Sequence, residues 1–171
     1  MSELIDIVDE HNRVVDTVER RVMRARSLPH RSTYVAFRTA AGRYLVEVRT
    51  LCKDYAPGLL DACVGGVVCH GESPGEGARR EFCEEIGVDP ADVDFHDLGS
   101  MNVPRHDCDS FFVACMYLAC GERITVRQAS ELSAVMYLTY EEIMALEPCF
   151  TCDSIIALRE IVTRARARGL L

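Results

Sequence analysis

An α/β/α sandwich around a mixed β-sheet is the fold class this sequence predicts, and three observations carry the prediction. Extended segments with alternating apolar and polar residues stand both before and after one short charged helix that follows Pro74 and stops at Gly87. That helix keeps Ala78, Phe82 and Ile86 on one face, ready to cover a sheet. A second helix, from about Asp153 to Arg168, closes the chain with Ile155, Ile156, Leu158 and Ile161 on its apolar side and basic residues at its end, so each face of the sheet has a layer to cover it.

Taken in order, Glu3 to Asp9 alternates apolar and acidic residues and reads as a first strand. Asn12 marks a turn, and Val14 to Val18 returns as the second arm of a hairpin. Glu19 to Ser27 reads as a helix, and its arginines Arg20, Arg21, Arg24 and Arg26 read as a solvated face, with contact to a substrate phosphate as the alternative. His30 to Thr39, a tight turn at Ala41-Gly42, and Tyr44 to Arg49 form an expected second hairpin. Val93 to Val103 and Ser110 to Cys120 are strands, the latter long and buried. Leu132 to Leu138, after Glu131, is a further strand, after which Thr139 and Glu142 form the capping box of a short helix. One domain over residues 1–171 is expected, with 1–30 as an N-terminal hairpin and helix added to a core of 31–171.

Composition narrows the function. With 49% apolar and 27% charged residues the chain can build a full core, and its net charge of −8 disfavours a broad nucleic-acid-binding surface while leaving room for small anionic substrates. The nine cysteines are odd in number and irregularly spaced, no apolar leader opens the chain, and no stretch approaches a membrane span. A reducing cytoplasm is expected, with most cysteines, such as Cys115, acting as small buried apolar residues. Cys149 and Cys152 form the one regular pair, which is compatible with redox or zinc chemistry but has no second pair nearby.

The stretch from Gly66 to Val88 concentrates the chemistry. It runs from an apolar segment through a loop rich in glycine into the helix, whose Glu81, Glu84 and Glu85 stand at i, i+3 and i+4 on one face. Like charges so placed repel by a few tenths of a kcal/mol per pair, and the helix C-terminus opposes them further. Arg80, four residues before Glu84, offsets part of this; a hard divalent cation would offset the rest. A plain solvated acidic face is the competing reading of the spacing.

Gly66, Glu72, Arg80, Glu81, Phe82, Glu84, Glu85, Gly87 and Val88 together match the pattern of the Nudix box, and the chain resembles that family at every specified position. The resemblance implies a Nudix fold with the box as loop, helix and loop, and a hydrolase that cleaves a diphosphate linkage with Mg²⁺ or Mn²⁺. It implies metal ligation by Glu81, Glu84 and Glu85, orientation of the attacking water by Glu81 or Glu85, and a register-holding pair in Arg80 and Glu72. Gly66 and Gly87 are implied as structural positions of the box. In many family members a glutamate before the last strand adds a ligand or base, which points here to Glu131. The partner implied is a small diphosphate, no nucleic-acid polymer and no membrane, and a homodimer is common in the family.

A further likeness runs from about Leu4 to Val88. Arg49, Lys53 and Pro57-Gly58 are similar to the subgroup that includes isopentenyl diphosphate isomerase and its bacterial hydrolase-like relatives. Arg49 and Lys53 are substrate-binding candidates, and so is His106 in the polar loop Pro104–Asp109, which with Asp107 and Asp109 is compatible with a metal ligand, a substrate contact or a plain solvated loop. The isomerase's cysteine and histidine fall at Gly65 and Val67, so both of its functional groups are missing, and Cys63 lies two residues, about 7 Å along a strand, too early. Hydrolysis is the expectation; isomerase-like chemistry and a noncatalytic nucleotide sensor are the alternatives.

Overall fold

The computed structural model describes residues 3–53, 55–105, 107–122 and 132–171. Among the described residues, eight strands and four helices follow in the order β1 (Leu4–Val8), β2 (Val14–Glu19), α1 (Arg20–Ala25), β3 (Arg31–Thr39), β4 (Tyr44–Arg49), β5 (Leu60–Asp61), α2 (Pro74–Ile86), β6 (Asp94–Pro104), β7 (Phe111–Gly121), β8 (Leu132–Leu138), α3 (Tyr140–Ala145) and α4 (Cys152–Ala167). Glu131 and His106 lie outside the described residues.

β1 and β2 form a two-stranded antiparallel sheet of their own. The main sheet has the order β5-β4-β3-β7-β6, with β8 also paired to β4; β3 and β7 run parallel and every other pair is antiparallel, so the sheet is mixed. Side-chain alternation along β3 explains the layering. Tyr34 and Ala36 join Ile155, Leu158, Ile161 and Val162 of α4 in one core, and Val35 and Phe37 join Ala78, Phe82 and Ile86 of α2 in the other. Because both faces of β7 are covered, its sequence is apolar without a break.

The expected hairpin of β3 and β4 holds only near its turn, at the pair Arg38 and Tyr44. Another segment has taken that edge of β3. Val35 exchanges both backbone hydrogen bonds with Val64, at 2.8 and 2.9 Å, Thr33 donates to Gly66 O at 2.8 Å and Val68 donates to Arg31 O at 3.0 Å. β4 instead pairs along its length with β8. The consequence is functional, since the start of the box is clamped to the central strand of the sheet.

Two further expectations are corrected. Only Cys63 and Cys115 are buried, whereas Cys52, Cys83, Cys108, Cys149 and Cys152 are exposed, because the latter sit in loops or on the outer faces of helices. α1 does not present all its arginines to solvent: Arg20 is half-buried in an ion pair with Glu3, and Arg20 and Arg24 both line a cleft. Among the described residues no helix is long and apolar enough to cross a membrane.

Candidate active site

A cleft of about 730 Å³ opens between α1, the loop after β4, the clamped segment 63–67 and the charged face of α2. α2 is fixed at both ends. Ser73 accepts from Glu76 N at 3.2 Å while the Glu76 carboxylate accepts from Ser73 N at 2.8 Å, Pro74 takes the first turn, and Gly87 ends the helix in the left-handed conformation with φ 76°.

Arg80 is the hub of the site. Its Nε donates to Glu72 Oε1 at 2.8 Å and its Nη2 to Glu72 Oε2 at 3.1 Å, a two-point pair that ties the box loop to the helix. Its Nη1 donates to Glu81 at 2.7 Å and to Glu84 at 3.2 Å. Glu72 Oε2 also accepts from Cys69 N at 3.1 Å, so the loop backbone is satisfied by the same carboxylate. The hydrogen bond to Glu72, with the attraction of Glu81, holds the Arg80 guanidinium charged more firmly than usual.

Gly66 is required here by close approach. A Cβ at that position would lie 2.6 Å from Glu81 Oε1, so a side chain would displace the carboxylate. Burial pushes the Glu81 carboxyl up, and Arg80 opposes that shift.

Glu85 departs from the expected exposed acidic face. It is 5% exposed, pairs with Lys53 Nζ at 3.2 Å and accepts from Gly65 N at 3.4 Å, while Glu84 remains exposed. The helix is rotated so that the i+4 carboxylate turns under the clamped segment, and burial pushes its pKa up to about 7 despite Lys53. Arg49 lines the same cleft, donating to Asp61 at 3.1 Å and twice to Tyr55 O, at 3.2 and 2.8 Å. Thus Glu72, Glu81 and Glu84 meet around Arg80, Glu85 meets Lys53, and Arg49 faces Asp61.

Beneath Glu85 lie two acids that the sequence reading passed over. Glu47 is 2% exposed, with no hydrogen-bond partner for Oε1 among the described residues, and it stands opposite Asp61 in the β4–β5 register. Burial drives the Glu47 carboxyl well above its usual range and that of Asp61 up to about 7. The signal was present: each interrupts an apolar run, Tyr44-Leu-Val-Glu-Val48 and Leu59-Leu-Asp-Ala-Cys63. Asp153 at the start of α4, which accepts from Tyr34 at 2.9 Å and Tyr55 at 3.0 Å, carried no such signal.

Among the described residues no three His, Cys, Asp or Glu side chains converge closely enough to cage an ion as they stand. The donor set still fits a hard divalent cation. Its atoms are carboxylate oxygens, and they are neutralised by the heads of Arg80 and Lys53, a balance that a cation would provide equally.

The fold is a mixed sheet between helical layers, with a cleft in which carboxylates gather around Arg80 and Lys53. The family model described as the NUDIX domain matches residues 28–151, and with that match the chain belongs to the Nudix family and is a Nudix hydrolase. It is 40% identical over 157 residues to the protein named uncharacterized Nudix hydrolase YfcD of Escherichia coli (strain K12), covering 92% of this chain and 85% of that one. The crystal structure of DR0079 from Deinococcus radiodurans superposes with a TM-score of 0.80 at 25% identity, covering 93% of this chain and 99% of that one. The Nudix domain of Shewanella oneidensis NrtR, solved with ADP ribose, shares the fold with a TM-score of 0.60 at 17% identity, over 89% of this chain and 99% of that one.

Proposed function

We propose that this enzyme cleaves a diphosphate linkage in a nucleoside diphosphate derivative or a related small diphosphate, with Mg²⁺ or Mn²⁺, by attack of water on phosphorus. The observation that carries the reading is the gathering of Glu72, Glu81 and Glu84 on one guanidinium, with Glu85 paired to Lys53, in a cleft also lined by Arg20, Arg24 and Arg49. Carboxylates and cations interleaved in one cleft suit a polyanion that must be bound and neutralised together.

Glu81, Glu84 and Glu85 would hold the divalent cation, which when bound supplies charge neutralisation at the phosphoryl oxygens and a more acidic water. Arg80 keeps Glu81 and Glu84 oriented, and its pair with Glu72 holds the loop against the helix. Glu81 and Glu85 are the deeper carboxylates, and burial raises the proton affinity of both, which suits acceptance of a proton from water. Arg49 and Lys53 line the cleft where they meet phosphate oxygens once released from Asp61 and Glu85.

The geometry at Gly65 speaks against isomerase-like chemistry. A Cβ on Gly65 would lie 2.0 Å from the Thr33 carbonyl oxygen, so the position that aligns with the isomerase's cysteine has no room for a side chain. The test is a screen of purified protein with Mg²⁺ or Mn²⁺ against nucleoside di- and triphosphates, ADP-ribose, dinucleotides, coenzyme A and isopentenyl diphosphate, with the double variant Glu84→Gln, Glu85→Gln as blank. Phosphate-containing products absent from the blank support hydrolysis; isomerised product without phosphate release defeats it.

A further inference from the structure

Residues 3–27 precede the matched family span of 28–151, yet their first strand is built into the box loop. The loop's leading segment lies along β3 as far as Arg31, whose carbonyl accepts from Val68 N at 3.0 Å. Beyond Arg31 the backbone partner changes to β1. Ile5 stands opposite Cys69 in an antiparallel bridge, Ile7 does the same with His30, and His70 N donates to Leu4 O at 2.8 Å. Ile5, Ile7 and Met23 form a small core against which Val18, Leu28 and Val67 pack, so burial of apolar surface holds β1 in that place.

Side chains extend the contact to the hub of the site. Arg20 Nη1 donates to both Glu3 oxygens, at 2.9 and 2.7 Å, and Cys69 Sγ donates to Glu3 Oε1 at 3.2 Å. The same sulfur accepts from Arg80 Nη2 at 3.7 Å. A thiol is a weak donor and a weak acceptor, and this one is used both ways. Burial, with the bond to Glu3 next, pushes the Cys69 thiol up to about 11, so it keeps its proton at neutral pH and continues to donate.

Arg80 shows why the sulfur matters. A guanidinium has five N–H donors in a fixed plane, and all five are engaged: two on Glu72, one each on Glu81 and Glu84, and the last on Cys69. The four carboxylate contacts all come from the box, whereas the fifth is aimed from outside it. Arg20 fixes Glu3, Glu3 takes the thiol proton, and the sulfur lone pairs are thereby left to Arg80 Nη2. With that acceptor removed, one edge of the plane is open and the fork can pivot on Glu72, carrying Glu81 and Glu84 with it.

We propose that Glu3 and Cys69 are positioning residues for hydrolysis: β1 sets the Cys69 thiol against Arg80 and so fixes the guanidinium that orients Glu81 and Glu84. The proposal rests on the hydrolase reading above and adds to it a residue from outside the matched family span.

Cys69→Ala compared with Cys69→Ser in the full chain tests it, since serine keeps a donor and an acceptor at that place and alanine keeps neither. In the metal-free protein, solvent exchange of the Arg80 Nε–H, followed by ¹⁵N NMR, is expected to quicken about three- to tenfold in Cys69→Ala, as for loss of one hydrogen bond, and to return most of the way in Cys69→Ser. With Mg²⁺ and the most rapidly cleaved member of the panel named above, kcat should fall by about the same factor in Cys69→Ala and recover in Cys69→Ser, while KM stays within about twofold. Glu3→Ala should match Cys69→Ala, and the double variant should lose no more than either alone, because both changes break one line of contacts. A role in packing alone would make serine no better than alanine; that result, additive losses in the double variant, or altered exchange with unaltered kcat overturns the proposal. Exchange is read without substrate, so unchanged exchange beside intact hydrolysis sinks this proposal alone, whereas exchange in the expected order in a protein that cleaves no diphosphate sinks the hydrolase reading and upholds the line to Arg80.

Discussion

Arg80 and Glu72 meet through two parallel hydrogen bonds, Nε to Oε1 at 2.8 Å and Nη2 to Oε2 at 3.1 Å, and this pair sets where the remaining carboxylates point. A lysine carries the charge but not the fork, so Arg80→Lys keeps one contact and frees Glu81 and Glu84. We expect turnover to fall by roughly 10- to 100-fold, the range for residues that orient metal ligands. The pair is partly exposed, so melting should drop only by about 2–4 °C, equivalent to ~1 kcal/mol at this chain length. Equal turnover in Arg80→Lys and wild type would show that the fork does not orient the site.

Glu85→Gln separates stability from activity. The carboxylate is buried and its charged form is disfavoured, with a pKa pushed up to about 7, so an amide of the same shape removes an electrostatic cost while weakening the contact to Lys53. These effects oppose each other, and stability is expected within about 1 kcal/mol of wild type. Turnover should fall by about 100-fold or more. A variant that unfolds, or one that keeps its turnover, contradicts this assignment.

The buried acids also give the fold a pH dependence of definite sign. Glu47, Asp61 and Glu85 have ordinary values of 4.5, 3.8 and 4.5, and burial raises all three, Asp61 and Glu85 to about 7. The folded state therefore binds more protons than the unfolded state between about pH 4 and 7, and stability falls as pH rises through that window. Melting of the metal-free protein should be higher near pH 5 than at pH 7.5. Glu47→Gln, neutral at every pH, should flatten the slope, and parallel melting curves for variant and wild type would exclude Glu47 as a source.

These cases show which features the chain announces. The box helix was legible because Pro74, Gly87, the acidic triad and the apolar stripe of Phe82 and Ile86 all lie within one short helix and its caps. β7 was legible because burial on both faces leaves no polar residue to break its run. The loosened hairpin was not, since β3 loses β4 to a competitor at 64–68 that is distant in sequence. Nor was the turning of Glu85 under that segment: i, i+3, i+4 spacing places three carboxylates within one arc but does not say where the arc meets the sheet. Arg20 read as solvent-facing because nothing local reveals that Glu3 lies opposite it.

Gly65 and Gly66 give adjacent positions with different expected failures. Alanine at 66 places a Cβ 2.6 Å from Glu81 Oε1, the end of a flexible side chain, so the carboxylate moves and the fold survives. Alanine at 65 places a Cβ 2.0 Å from the Thr33 backbone oxygen, which cannot move without breaking the clamp to β3. Gly66→Ala should therefore lose turnover by about tenfold or more with less than about 2 kcal/mol of destabilisation, while Gly65→Ala should lose about 3 kcal/mol or more. Denaturant titration beside steady-state kinetics distinguishes the two, and equal destabilisation would contradict the geometry.

Cys63 offers the sharpest contrast between hydrolysis and isomerase-like chemistry. It is 4% exposed, its thiol lies 3.9 Å from Ser154 O, and burial together with Asp61 and Asp153 drives its pKa well above the usual thiol value. A thiol held neutral in that setting is a poor proton acceptor and a poor nucleophile. Cys63→Ala should then cost about 1 kcal/mol through lost packing and leave hydrolytic turnover within a factor of about two. Loss of turnover with retained melting would place the sulfur in the chemistry, and appearance of an isomerised product in the wild type that vanishes in Cys63→Ala would reverse the assignment of the reaction.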